Sequence, residues 1–330
     1  MNKLTKIGVS ALCGSLASVA AANAGSMDVT GSASASYTSL SDQVVGNPLG
    51  MTTALTFTGN GELDNGSTFK VTIGHDNKAA YSSAAIALTT PSLGTFTYDE
   101  GGGTGIDRID DMMPTAWEET TGTGLSTGLR TVSGVGGVTD LEWNVGMGLP
   151  DGMNVYGSFA HRPNSTANAK KKSSGSSGTV GGIGNGWDIV ITHNGLYDGL
   201  NVFAGLSSVE QNATLGDLDS EAYGFTYAIG GATVGYQHSK EENVGSASTY
   251  YENDAYAVSY SVNDDLSVSY GVHESKSNSG STGDAKAESF QISYSVGGAS
   301  IKFAETSADS VHYVSGTNRE GRTVALTLAF

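Results

Sequence analysis

Read for the periodicity of its apolar positions, the chain shows one pattern from end to end: large apolar residues alternate with small or polar ones, a period of two, which is the signature of β-strands with chemically distinct faces. The last stretch is the clearest. Val324, Leu326, Leu328 and Phe330 fall on one face, and Thr323, Ala325, Thr327 and Ala329 on the other. Leu266, Val268, Tyr270 and Val272 alternate in the same way with Ser267, Ser269, Gly271 and His273, and Phe290, Ile292, Tyr294 and Val296 with Ser289, Gln291, Ser293 and Ser295. Tyr223, Phe225, Tyr227 and Ile229 repeat the pattern, as do Phe69, Val71 and Ile73. The second face is dominated by Gly, Ser and Thr rather than the Lys and Glu usual on a soluble exterior. This fits small polar groups lining a wet lumen while the apolar face meets lipid.

The connections sharpen this expectation. Tight turns fall at Asp64-Asn65-Gly66, Pro91-Ser92-Leu93-Gly94, Leu149-Pro150-Asp151-Gly152, Tyr197-Asp198-Gly199, Gly230-Gly231, Asn263-Asp264-Asp265 and Gly297-Gly298. Between them lie longer polar segments, near 41–49, 76–83, 100–137, 162–186, 210–218, 240–249, 275–284 and 307–321. Short and long connections alternate strictly, so fifteen connections join about 16 strands of roughly ten residues each. The expected fold is all-β: an antiparallel transmembrane β-barrel with short turns at one end and long loops at the other. No apolar run long enough for a membrane-spanning helix follows the N-terminal segment, whereas a closed barrel crosses a bilayer with every backbone polar group paired.

Residues 1–24 read as an export signal. Lys3 and Lys6 precede the short apolar run Ile7–Ala22, and Ala22-Asn23-Ala24 forms an A-x-A cleavage site. The barrel domain is thus expected over 25–330. Cys13, the single cysteine, lies in the signal, so no disulfide is available to the exported part. Glycine is abundant at 47 residues and tyrosine at 15, a β-rich composition. Tyr98, Tyr236, Tyr256 and Tyr294 are placed to serve an aromatic girdle. The chain carries 33 acidic against 16 basic residues, net −17, which makes nucleic acid a poor partner.

With the signal, the alternating turns and loops, an unusually long third loop and an alternating last strand ending in Phe330, the sequence resembles the sixteen-stranded general diffusion porins of Gram-negative bacteria, most of all those of alphaproteobacteria. The resemblance implies an outer-membrane location and a homotrimer in contact with lipid and lipopolysaccharide. It implies passive passage of small hydrophilic solutes and cations, and Phe330 as an assembly signal read by the barrel assembly machinery.

It also directs attention to the third loop, which in the family folds into the lumen and narrows it. Here that loop carries Glu100, Asp107, Asp110, Asp111, Glu118 and Glu119 against Arg108 and Arg130. Its apolar Ile106, Ile109, Met112, Met113 and Trp117 have little reason to dangle in water. Carboxylates at a constriction attract cations. The family's facing arginine cluster is missing; Lys70, Lys302 and Arg322 are the expected pore-lining bases, so cation preference should be stronger. No cofactor is required, although Asp107, Asp110 and Asp111 could hold Ca²⁺ through oxygen ligands.

Other features have plain readings. Gly101–Gly105 lacks the Lys-Ser/Thr ending of a phosphate loop, and Lys170-Lys171-Lys172 beside a Ser/Gly run reads as an external loop. The six histidines are scattered and no nucleophile elbow occurs, so an enzyme is not expected. A substrate-specific channel would call for an aromatic slide or arginine ladder, and a secreted β-rich adhesin for short internal repeats; neither is found.

Overall fold

The computed structural model describes residues 24–41, 47–77, 82–101, 103–121, 125–161, 184–211 and 213–330. The expected signal and the Lys170–Lys172 run lie outside these residues, apart from Ala24, where the first strand begins.

Sixteen strands follow one another. They are β1 Ala24–Leu40, β2 Leu49–Glu62, β3 Thr68–Asp76, β4 Ser83–Thr90, β5 Gly94–Glu100, β6 Thr139–Val145, β7 Met153–His161 and β8 Asn185–His193. The series continues with β9 Leu200–Val209, β10 Leu218–Ile229, β11 Ala232–Glu242, β12 Tyr250–Ser261, β13 Leu266–Ser277, β14 Ala285–Val296, β15 Ala299–Asp309 and β16 Arg319–Ala329. Each pairs antiparallel with its neighbour in sequence, and β1 pairs with β16, closing the sheet. Closure leaves no unpaired edge, which suits a chain that spans a bilayer. The seam runs from Ser32↔Ala329 to Leu40↔Gly321. Beyond it, Phe330 exchanges both backbone hydrogen bonds with Gly31, at 3.0 and 2.9 Å.

Turn chemistry explains the short end. Gly66, Gly94, Gly152, Gly199, Gly230 and Gly297 all have positive φ where tight reversals demand it. Asn65 and Asn263 accept backbone N–H groups two residues on, the Asx geometry that stabilises such turns. At the other end β15 runs on to Asp309 and β16 begins at Arg319, so the last loop is shorter than the 307–321 expected.

The faces follow the period of two. Val324, Leu326 and Leu328 are 46%, 46% and 52% exposed, whereas Thr323 and Ala325 are buried inward. Such exposed apolar side chains circle the barrel, forming the lipid-facing belt of a transmembrane barrel. Aromatic residues mark both edges of this belt. Near the short turns Phe96 stacks on Trp143 at 5.9 Å, and the Trp143 indole N–H donates to Leu93 O at 2.7 Å. Near the long loops Tyr98, Tyr256, Tyr270 and Trp187 face outward.

Candidate functional site: the third loop inside the barrel

The connection between β5 and β6 does not extend away from the barrel. It turns inward, runs along the inner faces of β7 to β14, and comes back. Its apolar residues drive this course. Ile106, Ile109 and Val132 are fully buried against Val190, Phe203 and Ala222 of the wall, with Met112 and Tyr156 packed alongside. Two inward glycines let the loop approach the strand backbone. A β-carbon at Gly205 would come 2.9 Å from Ile109 Cδ1, and one at Gly235 2.6 Å from Pro114 Cδ.

A loop of irregular backbone must find partners for its polar groups when water is excluded, and the wall supplies them. The Gly105 N–H donates to Glu142 at 2.9 Å, and the Thr104 hydroxyl to Asp140 at 2.8 Å. Asp188 accepts the N–H groups of Ile106 and Val135 at 2.9 and 3.1 Å. On β11, the Gln237 amide donates to the carbonyls of Ile109 and Asp110 and accepts the Met112 N–H. On β14, Gln291 accepts the N–H groups of Trp117 and Glu118 and donates to Glu118 O. Ser269 receives the Ala116 N–H. The returning limb buries Leu125 among Ala287, Ala308 and Val311.

Both loop arginines are committed to this anchoring. Arg108 pairs with Glu142 and lies 3.9 Å from the Tyr156 ring centre. Arg130 pairs with Glu241 at 3.1 Å and sits 5.0 Å from the Tyr251 ring centre. Glu142 and Glu241 are 5% and 2% exposed, so these are wall carboxylates covered by the loop. Glu118 and Glu119, by contrast, are exposed to the lumen, and Asp107, Asp110 and Asp111 are half-buried.

Burial pushes Asp107 and Asp111 up to about 6, with neighbouring carboxylates adding to the shift. Glu119, open to the lumen yet partly desolvated by the loop around it, is pushed up to about 7 by that desolvation and then by the Asp111, Asp110, Glu118 and Asp107 charges. Asp110 is also raised by burial, opposed by hydrogen bonds to its carboxylate. Among the described residues, no three His, Cys, Asp or Glu side chains are arranged to hold a metal ion. Asp110 accepts the Asp111 N–H and Asp111 the Met113 N–H, so both turn into their own backbone.

Two expected site residues are elsewhere. Arg322 shares the register of Val324 and Leu326 and is 68% exposed; it bonds Glu305 on the outside of β15 at 2.6 Å. It does not line the pore, because the period of two continues past the apolar belt and carries it outward. Glu100, the last residue of β5, shares the outward register of Tyr98, so it is not part of the constriction. Lys70 and Lys302 do face inward. Lys302 Nζ is 5.9 Å from the Trp117 ring centre, against the loop, while Lys70 stands on the uncovered wall.

That wall, β1 to β5, presents half-exposed Ser32, Ser34, Ser36, Thr56 and Thr72 to the lumen. The anchors Asp140, Glu142, Asp188, Gln237, Glu241 and Gln291 were not among the sequence candidates. Their signal was present, since each is a large polar residue at an inward position where Gly, Ser or Thr is the rule.

A closed sixteen-stranded antiparallel barrel with short turns at one end and a long loop folded into its lumen has the architecture of the general porins. No family model matches the sequence, and no curated protein matches it either. Solved structures do match. OmpF of Salmonella typhi, in complex with daunomycin, superposes with a TM-score of 0.70 at 17% identity, covering 92% of this chain and 97% of that one. An anion-selective porin from Comamonas acidovorans gives 0.66 at 12%, with 92% and 99% covered. The trimer form of OmpT from Vibrio cholerae gives 0.65 at 14%, with 93% and 100% covered. At these identities the likeness defines the fold, a porin barrel, and leaves selectivity to be argued from this chain's own residues.

Proposed function

We propose that the protein is an outer-membrane porin, a passive channel for small hydrophilic solutes and ions with a preference for cations. The observation that carries this reading is the third loop: its arginines are held by wall carboxylates, while Glu118 and Glu119 face the lumen opposite a wall of serine and threonine. Water-filled space bounded on one side by carboxylates and on the other by hydroxyls, with Lys70 as the one base among the described residues there, favours cations by simple Coulomb attraction. Nothing in this arrangement calls for a chemical step, so a channel is preferred to an enzyme.

A homotrimer fits the outer surface. The outward register of β1 to β5 carries Asp, Glu, Lys, Arg or His side chains only at its long-loop end, His75 and Glu100. Leu49 and Met51 there are 67% and 73% exposed. Apolar groups this exposed toward the end of a strand are best explained by a second copy covering them. We assign Phe330, 75% exposed at the seam, the assembly-signal role that the resemblance to porins implies.

The test is single-channel conductance of purified protein in a planar bilayer, followed by the reversal potential in a KCl gradient. Stepwise openings with a cation-selective reversal potential are expected. Folded protein that conducts nothing would rule the channel out, and an anion-selective reversal potential would rule out the role given to the loop.

A further inference from the structure

The last loop, 310–318 between β15 and β16, also turns into the barrel. Ser310, His312 and Tyr313 hold left-handed backbone, with φ of 50°, 55° and 62°, which a β-carbon makes costly. Such backbone persists only where its surroundings over-determine it, and here they do. Val311 is buried in one cluster with Leu125, on the returning limb of the third loop. The His312 N–H donates to Thr127 O at 3.0 Å, and the Arg319 guanidinium donates to Ser126 O. Gly128, at φ +73°, leaves the room this approach needs, since a β-carbon there would come 2.1 Å from His312 Nδ1. From the neighbouring loop, the Thr282 N–H donates to Tyr313 O and the Thr282 hydroxyl accepts the Ser315 N–H, both at 3.0 Å. The last loop is thus braced on one side and pressed against the third loop on the other.

Tyr313 carries this contact onto the wall. Its ring meets the Tyr251 ring in a T-shaped arrangement with centroids 5.3 Å apart, and its hydroxyl bonds the Ser275 hydroxyl at 2.8 Å. Tyr251 pairs in register with Glu241 across β11 and β12, so ring and carboxylate stand side by side. Arg130 bridges the two, its Nε 3.1 Å from Glu241 and its guanidinium carbon 5.0 Å from the Tyr251 ring centre. An aromatic face attracts a cation only while the ring keeps its orientation, and Tyr313 is packed against that ring. Arg130 is 44% exposed against 28% for Arg108, so it is the loop arginine with the shorter way into the lumen.

We propose that Tyr313 is a positioning residue for ion selectivity: through the Tyr251 ring it keeps the Arg130 guanidinium on Glu241 and out of the field of Glu118 and Glu119. The last loop thereby decides whether the lumen feels a cation that belongs to the third loop. The effect on selectivity rests on the channel reading, whereas the hold on Arg130 does not.

The experiment uses the full exported barrel and two readouts. In the first, the protein in detergent is labelled with phenylglyoxal, and modification of Arg130 is read by peptide mass spectrometry against that of Arg322 on the outer wall. Tyr313→Ala should raise the relative labelling of Arg130 several-fold in protein that keeps the heat-modifiable migration of a folded barrel. Tyr251→Leu should do the same, and it carries the test where the first variant does not fold. Tyr313→Phe, which keeps the ring, should recover most of the protection. The second readout is the reversal potential in a gradient around 0.1 M KCl. There Tyr313→Ala should lower the K⁺/Cl⁻ permeability ratio about twofold, the size expected of one charge about 8 Å from the ion path after screening. Adding Arg130→Gln to Tyr313→Ala should restore the ratio, because it removes the cation that was set free. A loop that had merely loosened would carry Glu118 and Glu119 away as well, so failure of Arg130→Gln to restore the ratio would overturn the proposal. Unchanged Arg130 labelling in the folded variants would overturn it too. Protein that shows the labelling change yet conducts nothing would keep the hold on Arg130 and reject the channel.

Discussion

The arc β1–β5 and the arc β6–β16 are built from the same alternating pattern, yet they solve opposite problems. In the first, the inner wall is left to water and carries mostly small hydroxyls with Lys70 among them, while the outer wall stays apolar up to Leu49 and Met51. In the second, the third loop covers the inner faces of β6 to β14, which must answer irregular backbone with Asp140, Glu142, Asp188, Gln237 and Gln291. Its outer wall, from β10 onward, ends in a charged band in which Glu221 faces Lys240, Glu252 faces Lys276, and Glu305 faces Arg322. Each inner wall is composed for what lies against it, water on β1 to β5 and the loop on β6 to β14.

The contrast can be broken, and the largest effect is expected where the loop is anchored. Arg108→Ala leaves Glu142 without its cation at a 5% exposed position. Removing one partner of a buried pair costs about 3 kcal/mol, here the lower end of the range because Arg108 itself is 28% exposed. The loop should loosen, giving a noisier and larger single-channel conductance; an unchanged trace would mean that Arg108 does not hold it.

Next in size is Met51→Glu, which places a charge on the apolar outer wall. If that wall is a subunit contact, the oligomer on a native gel should fall to monomer with the barrel still folded. Persistence of the oligomer would move the contact elsewhere.

Acidification should act more gently. Glu119 sits near 7, and Asp107 and Asp111 near 6, so all three are ionised at pH 8 and become neutral as pH falls through those values. Cation preference, read as reversal potential, should therefore decline between pH 8 and 5 and return on neutralisation. A flat profile would show that these carboxylates do not set the field. The smallest change belongs to the uncovered wall. Lys70→Ala should raise cation preference only slightly, since one exposed charge contributes about 1 kcal/mol even at 4 Å in water.

Much of this architecture was legible in the sequence. Seven tight turns and eight longer segments specify sixteen strands, because turn chemistry and a period of two are local properties. The third loop was legible too, by its length and by Ile106, Ile109, Met112 and Met113, which no solvated loop requires. Arg322 and Glu100 were misplaced for a physical reason. Polarity reports the face of a strand only within the apolar belt, and beyond it outward positions become charged as well. The wall anchors escaped notice because a polar inward residue looks the same whether water or a loop covers it. Only the fold brings Gln291 to Trp117, 174 residues away.

The seam has a further consequence, and it concerns timing. Gly31 and Phe330 exchange hydrogen bonds across nearly the whole chain, and a β-carbon at Gly31 would come within 2.8 Å of the Phe330 ring. Every other strand pairing joins neighbours in sequence and can form as soon as both have emerged. This one joins β1 to β16, the largest sequence separation of any strand pairing in the barrel, where loop-closure entropy is greatest. Until β16 is available the sheet is an open ribbon with two unpaired edges, so synthesis of β1 and closure are separate events and the chain depends on being kept from pairing with others in between.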